Sequence, residues 1–234
     1  MSNTELSLQD KAKQRAGFKA ADYISNGMIV GLGTGSTVAF TMARLKERIS
    51  AERLSIYGVP TSLQTMMRAG ALGIPLVGLE QVQTIDITID GADQIDSELR
   101  LIKGRGAAHV RERIIADASK RIIIVADPSK LCADLTGPIP IEIVPFSLPH
   151  VLNRLNQMGG TIQVREGVKK DGPVISDNGN IILDYQPITI LDPMQLETVI
   201  NMIPGVVCCG IFAEFTHKTT VIIGEENGPR IIGL

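Results

Sequence analysis

The sequence predicts a doubly wound α/β fold with a mainly parallel sheet and a second, smaller α+β domain. Three observations favour this class. Helix-like and strand-like patterns alternate along the first half of the chain, the connections between them are short, and a glycine-rich turn joins the first strand to the second helix. With 234 residues and 44% hydrophobic composition, the chain can bury a substantial core as one large or two small domains.

The first half of the chain alternates between the two periodicities. Alanines and larger apolar residues recur at helical spacing over residues 8–24, and Asn26 and Gly27 predict the helix end before an apolar strand at 28–32. The elements that follow are helix 38–49, strand 54–59, helix 63–71, strands 76–79 and 84–90, helix 107–118 and strand 121–126. This order predicts a Rossmann-like sheet.

The second half has a different texture. Prolines separate short strand patterns at Pro138, Pro140, Pro145 and Pro149. A helix is predicted over 150–158, and residues 177–180 read as a hairpin turn. We therefore predict a smaller α+β domain over 135–205. Residues 1–134 and 206–234, which include two final strand patterns, are expected to form the Rossmann-like domain.

Composition excludes several classes of function. The formal net charge of -2 lacks the basic surplus of a nucleic-acid binder, and an aromatic content of 3% without Trp does not suit a base-stacking surface. The chain has no signal-peptide pattern and no apolar run long enough to span a membrane, so a cytoplasmic location is expected. Three cysteines without C-x-x-C spacing predict free thiols.

A glycine-rich turn at residues 31–37 is the clearest candidate binding site. Backbone N–H groups at the start of the next helix, together with the hydroxyls of Ser36 and Thr37, are suited to an anion. A nucleoside-triphosphate loop needs Lys where Ser36 stands, and a dinucleotide loop needs Gly there. The loop therefore favours a single phosphomonoester, such as that of a sugar phosphate, with a purely structural turn as the alternative.

Further polar residues follow strand-like segments. Asp90 ends strand 84–90 and Asp93 follows it, at the edge where ligands bind in open α/β sheets, although a capped turn would use the same residues. Lys103 begins a glycine-containing connection into the helix that carries Glu112. A lysine and backbone N–H groups can stabilise an oxyanion while a carboxylate moves a proton, but Glu112 could equally be a solvated helix residue. Lys130 follows a third strand and could be an ordinary surface lysine.

These motifs in this order resemble the type A family of ribose-5-phosphate isomerases. The site motifs are GTGST at 33–37, DGAD at 90–93, KGRGAA at 103–108 followed by Arg111 and Glu112, and ADPSK at 126–130. Further segments resemble the family at DNGNIILD 177–184, LDP 191–193 and NMIPGVV 201–207. The resemblance covers nearly the whole chain.

The resemblance implies interconversion of ribose 5-phosphate and ribulose 5-phosphate through an enediolate, with no metal and no organic cofactor. It implies that Glu112 is the base, that Lys103 and the backbone of Gly104, Arg105 and Gly106 stabilise the enediolate, and that Asp90 assists ring opening. Asp93 would hold substrate hydroxyls. The phosphate would be bound by Thr34, Gly35, Ser36 and Thr37, with Lys130 and Lys13 nearby. A homodimer is a further expectation from the family.

Two alternatives belong to other classes. A noncatalytic sugar-phosphate sensor would need a DNA-reading module. About thirty residues precede the glycine-rich turn at 31–37, called the phosphate loop below, and they are too few for such a module. A CoA-transferase-like enzyme would need a glutamate nucleophile in its own sequence context and a longer chain.

Two segments depart from the family pattern. Arg105 stands where many members of the isomerase family have the central glycine of K-G-G-G, and an arginine would be strained there if the backbone needed a positive φ angle. Segment 59–65 matches the family only loosely and is assigned no role.

Overall fold

The computed structural model describes residues 6–233, which contain six helices and thirteen strands. The helices are α1 Leu8–Ala21, α2 Ser36–Ala51, α3 Leu63–Ala71, α4 His109–Asp117, α5 Leu148–Gln157 and α6 Pro193–Asn201. The strands are β1 Ile29–Leu32, β2 Tyr57–Pro60, β3 Ile85–Asp90, β4 Gln94–Ile95, β5 Leu101–Ile102, β6 Ser119–Ala126, β7 Ile139–Ile143, β8 Thr161–Val164, β9 Ile181–Gln186, β10 Val206–Cys209, β11 Ile211–Phe212, β12 Thr219–Glu225 and β13 Gly228–Gly233. No helix within the described part of the chain is long and apolar enough to cross a membrane.

The chain divides into two compact units. Among the described residues, the first contains 6–91, 114–130 and 218–233, and the second contains 92–113 and 131–217, so the division falls within α4.

The first unit is built on a six-stranded sheet with the order β13-β12-β6-β3-β1-β2. The pairs are parallel except for β12 with β13, which is antiparallel. Strands β3 and β6 are buried along nearly their whole length, as parallel strands covered on both faces should be. The predicted fold class, a mainly parallel α/β sheet with a second, smaller α+β unit, is confirmed.

Helix α1 packs closely on the start of α2 through small residues. A Cβ atom placed on Gly17 would lie 2.9 Å from both the Thr37 carbonyl oxygen and the Thr41 nitrogen. Ser7 begins α1, and its side chain accepts a hydrogen bond from the Asp10 N–H. The missing side chain at Gly17 therefore sets how near α1 comes to the loop that precedes α2.

The second unit contains two small antiparallel sheets, with the orders β10-β7-β9-β8 and β11-β5-β4. Apolar residues of β7 and β9, including Ile141 and Leu183, form its core with Leu155 of α5 and Ile200 of α6. Residues 176–180 form the predicted turn, in which the Ser176 N–H donates to the Asn180 carbonyl at 2.8 Å.

Three sequence-based assignments differ from the structure. Residues 76–79 form only a single bridge, from Leu76 to Gly58, followed by a 3-10 turn, because Pro75 and Gly78 confine the apolar run to two residues. Helix α4 begins at His109 rather than at 107, because Ala107 has a φ of 57°. Strand β10, expected in the first sheet, pairs instead with β7 of the second unit.

The two compact units also differ in extent from the domains predicted from sequence. The prediction assigns residues 92–113, 131–134 and 206–217 to the Rossmann-like domain, whereas all three segments belong to the second unit. Their strands β4, β5, β10 and β11 pair within the small antiparallel sheets, and this pairing over long sequence separations leaves no local signal.

Candidate active site

The predicted site residues fall into two groups, one in each unit. In the first unit, β1, β3 and β6 are parallel neighbours, so residues that follow their carboxyl ends lie at one edge of the sheet. The phosphate loop follows β1, Asp90 ends β3, and Lys130 lies in a 3-10 turn shortly after β6. This edge therefore carries much of the predicted phosphate-binding set.

The phosphate loop ends in an exposed helix N-terminus. Gly35 has a φ of 128° and occupies the position before the first residue of α2, where a side chain would be strained. Gly35 and Ser36 are exposed and Thr37 is partly exposed. Unpaired N–H groups at such a helix start, with the helix dipole behind them, suit an anion.

Thr34 has a different environment from its neighbours, because its hydroxyl contacts three others. Its Oγ1 lies 2.7 Å from Ser62 Oγ, 2.9 Å from Thr61 Oγ1 and 3.3 Å from Thr65 Oγ1. Thr61 also donates to the Leu32 carbonyl at 3.1 Å. These four residues, Thr34, Thr61, Ser62 and Thr65, form a hydroxyl cluster. Its hydrogen bonds hold Thr34 of the phosphate loop against the start of α3.

The hydroxyl cluster is not among the residues predicted from sequence, because segment 59–65 resembles the family only loosely. A signal was nevertheless present. Ser62 begins α3, and its side chain accepts a hydrogen bond from the Thr65 N–H at 3.1 Å, which is an ordinary helix cap. What the cap pattern could not reveal is that Thr65 Oγ1 also donates to the Gly33 carbonyl at 2.8 Å.

Asp90 is buried and fastens the phosphate loop to the end of β3. Its Oδ1 accepts hydrogen bonds from the Thr34 N–H at 3.2 Å and from the Gly91 N–H at 2.7 Å. A Cβ on Gly33 would lie 2.1 Å from the same oxygen, so only glycine fits there.

Lys13 lies on the face of α1 that meets α2. It precedes Gly17, where α1 approaches α2 closely, by four residues and therefore occupies the same helix face one turn earlier. Its side chain is only 15% exposed, and its ammonium pairs with Asp10 at 3.3 Å.

In the second unit, Lys103 and Glu112 form a buried ion pair. Lys103 follows β5 and is 4% exposed, Glu112 lies on α4 and is 5% exposed, and Lys103 Nζ is 3.1 Å from Glu112 Oε2. Two charges are removed from water here, which is costly unless they are paired. The alternative that Glu112 is a solvated helix residue is wrong.

Hydrogen bonds from Asp93 and Arg165 hold the connection between Lys103 and α4. Asp93 Oδ2 accepts a hydrogen bond from the Arg105 N–H at 2.9 Å. Arg165 donates to the carbonyls of Gly104 and Arg105 at 2.9 and 3.0 Å, and it pairs with Asp184. Arg165 was not identified from sequence, since nothing near it in the chain resembles a site.

Arg105 is not strained by its place in this connection. The positive φ angles fall at Gly104, with 104°, and at Ala107, with 57°. The Arg105 side chain is 79% exposed, and its Nε lies 3.7 Å from Asp93 Oδ1. The departure from a central glycine is therefore compatible with the backbone.

His109 is fully buried at the start of α4. Its Nε2 lies 3.2 Å from the Cys208 carbonyl, and its Nδ1 would be 2.7 Å from a Cβ on Gly104. Burial lowers the pKa of His109 to about 3, so the ring is neutral over the ordinary pH range. The Cys208 thiol is also inert, because burial raises its pKa to about 11.

Comparisons with known proteins agree on one family. A family model described as ribose 5-phosphate isomerase A, or phosphoriboisomerase A, matches residues 57–228. A relative of that name from Methanoregula boonei is 49% identical over 221 residues, which is 94% of this chain and 93% of the relative. One from Methanosarcina acetivorans is 46% identical over 228 residues, covering 97% and 96%.

Solved structures give the same result. Ribose 5-phosphate isomerase A from Methanocaldococcus jannaschii is similar to this chain with a TM-score of 0.89 and 39% identity, covering 95% of this chain and 98% of that one. A D-ribose-5-phosphate isomerase in complex with phospho-erythronic acid has a TM-score of 0.94 and 39% identity, covering 97% and 100%.

Proposed function

This chain belongs to the ribose 5-phosphate isomerase A family and interconverts ribose 5-phosphate and ribulose 5-phosphate, and we propose that Glu112 and Lys103 carry out the proton transfer. The observation that supports this assignment is the buried ion pair, with Lys103 Nζ 3.1 Å from Glu112 Oε2. A buried acid and base in contact are suited to moving a proton and neutralising the charge that results.

In the proposed mechanism, the Glu112 carboxylate removes the proton from carbon 2 of the open-chain aldose. The electron pair of that C–H bond forms the enediolate, and negative charge develops on the carbonyl oxygen of carbon 1. The Lys103 ammonium stabilises this oxyanion, and Glu112 returns the proton to carbon 1. The hydroxyl proton on oxygen 2 moves to oxygen 1, which leaves the carbonyl group at carbon 2 of the ketose. Loss of one such oxyanion contact typically costs roughly 2.7 to 4 kcal/mol of transition-state stabilisation.

The remaining site residues are proposed to bind and prepare the sugar phosphate. Asp90 assists ring opening and transfers hydroxyl protons. In the second unit, Asp93 holds the connection from Lys103 to α4 and is proposed to contact substrate hydroxyls as well. The phosphate group is assigned to a set in the first unit: Thr34, Gly35, Ser36, Thr37, Lys13 and Lys130. Thr34 contributes through the hydroxyl cluster that shapes the loop.

We also propose a cytoplasmic homodimer acting in the pentose phosphate pathway. Free thiols at Cys132, Cys208 and Cys209 support a reducing compartment. Exposed apolar side chains in the second unit, such as Phe146 at 96% and Met202 at 77%, support a surface that a second copy could cover. Sedimentation velocity at micromolar concentration measures the mass directly, and a monomer would contradict the dimer.

The activity is tested by following conversion of ribose 5-phosphate to ribulose 5-phosphate in chelator-treated buffer. We expect metal-independent turnover by the parent and a loss of about 10² to 10⁴ in kcat for Glu112→Gln, because the amide cannot accept the proton. KM should change little.

The control is Glu98→Gln, which removes an exposed carboxylate of the same unit. It should retain the parent kcat. Near-normal turnover by Glu112→Gln would show that Glu112 is not the base. If the folded parent protein bound the sugar phosphate without converting it, the sensor alternative would be favoured instead.

A further inference from the structure

The aromatic ring of Phe212 lies beside the ammonium of Lys103. Strand β11 pairs with β5, which places Phe212 opposite Leu101, two residues before Lys103. Phe212 is 3% exposed, and Lys103 Nζ is 5.5 Å from the centroid of its ring. A cation at this distance from a buried ring is attracted to the electron-rich face, most strongly where water is excluded.

The backbone on each side of Phe212 is tied to a charged group. The carbonyl of Ile211, the residue before it, accepts a hydrogen bond from the Arg113 guanidinium. The N–H of Ala213, the residue after it, donates to Glu197 Oε2 at 2.9 Å. Because both neighbours are held, Arg113 and Glu197 constrain the backbone that carries the Phe212 ring.

Arg113 and Glu197 also fix each other. Arg113 Nη2 lies 2.5 Å from Glu197 Oε1, and the two side chains are 15% and 6% exposed. The Arg113 guanidinium lies 4.4 Å from the Phe212 ring centroid. Arg113 directly follows Glu112 on α4, so this cluster connects the ring beside Lys103 to the helix that carries the proposed base.

We propose that Phe212, held by Arg113 and Glu197, is a positioning residue that keeps the Lys103 ammonium beside Glu112. The inference rests on the roles proposed above for Lys103 and Glu112. A lysine side chain is flexible, and an ammonium that rotated away from the developing oxyanion would stabilise it less. The ring restricts that motion without itself meeting the substrate.

Replacing Phe212 with leucine tests the proposal, since leucine retains apolar volume but removes the ring. We expect kcat to fall about fivefold to tenfold, with KM within about twofold of the parent, because the ring acts on the transition state through Lys103. Phe212→Tyr keeps the ring and should restore most of the lost kcat. Phe212→Met gives the same test as the leucine variant if that variant does not fold.

Tyr185→Leu is the matched control, because it removes another buried ring of the second unit, one that lies in the core of β7 and β9. It should lower the thermal midpoint but leave kcat near the parent value. The proposal would be overturned if Tyr185→Leu lowered kcat as much as Phe212→Leu does. It would also be overturned if Phe212→Leu changed KM and left kcat at the parent value.

Lys103→Met separates this inference from the proposed function. If Lys103→Met abolishes turnover while Phe212→Leu and Phe212→Met retain it, Phe212 has no positioning role and the function of Lys103 stands. If Lys103→Met itself turns over normally, the proposed function of Lys103 fails first.

Discussion

At the scale of single residues, burial distinguishes the proposed acid–base residues Asp90, Lys103 and Glu112 from ordinary surface charges. The Lys103–Glu112 pair and Asp90 are almost fully buried, and each is held by a specific partner. Lys13 belongs to the same pattern, with a side chain 15% exposed on a packed helix face. A partly buried cation next to a phosphate site interacts more strongly with an anion than one surrounded by water.

We expect Lys13→Met to raise the KM for ribose 5-phosphate about tenfold with a smaller change in kcat. The substitution would remove the proposed charged contact to the phosphate, and hydrogen bonds to charged groups are typically worth about 1.5 to 3 kcal/mol. Steady-state kinetics measure both constants. Lys19→Met removes a more exposed lysine of the same helix and is the control. Equal KM values for the two variants would exclude Lys13 from phosphate binding.

At the scale of elements, the contact between α1 and α2 controls the position of the phosphate loop. Helix α2 begins at the loop itself, and α1 approaches its first turn at Gly17. The loop is also held from behind by the hydroxyl cluster and from the side by Asp90. A small displacement of α2 would therefore move the exposed N–H groups that are proposed to bind the phosphate.

Gly17→Ala should destabilise the protein by about 1 kcal/mol or more and raise KM. The new Cβ would lie 2.9 Å from backbone atoms of α2, and overpacking of this kind typically costs 1 to 3 kcal/mol. Gly70→Ala is the matched control on α3, because its Cβ would meet nothing within 4 Å. That control should gain up to about 1 kcal/mol through helix propensity.

Urea unfolding and steady-state kinetics measure the two effects. If both glycine variants gained stability and kept the parent KM, the close approach at Gly17 would not control the loop.

At the scale of the whole molecule, stability depends on groups that the fold holds in one protonation state. His109 has a pKa of about 3 in the folded protein, because burial disfavours its charged form, against 6.5 in the unfolded chain. Between these values the unfolded chain binds the proton and the folded protein does not. His109 therefore does not reduce the free energy of unfolding above about pH 6.5. As the pH falls from 6.5 toward 3, protonation of this histidine in the unfolded chain lowers the free energy of unfolding.

We expect the parent to lose about 2 kcal/mol more than His109→Gln between pH 7 and pH 5, since one proton changes the free energy of unfolding by about 1.4 kcal/mol per pH unit. Urea unfolding at the two pH values measures this difference. His150→Gln, at an exposed position, should behave like the parent. The same pH dependence in the His109 variant as in the parent would contradict the assignment.

The amino-acid sequence was enough to predict the fold class, the family and the residues at the ends of β1, β3 and β6, because periodicity, glycine turns and motif order are local properties of the chain. The contacts that those residues make depend on how the chain folds and could be read only from the three-dimensional structure. The hydroxyl cluster joins Thr34 to residues 27 to 31 positions away, and Phe212 approaches Lys103 through the pairing of β11 with β5. Strand β10 joined the second unit for the same reason. A buried charge needs an opposite charge or a hydrogen-bonding group beside it, and a buried strand edge needs a second strand to pair with. When that second group is distant in sequence, the segment that it contacts shows no pattern that would reveal it.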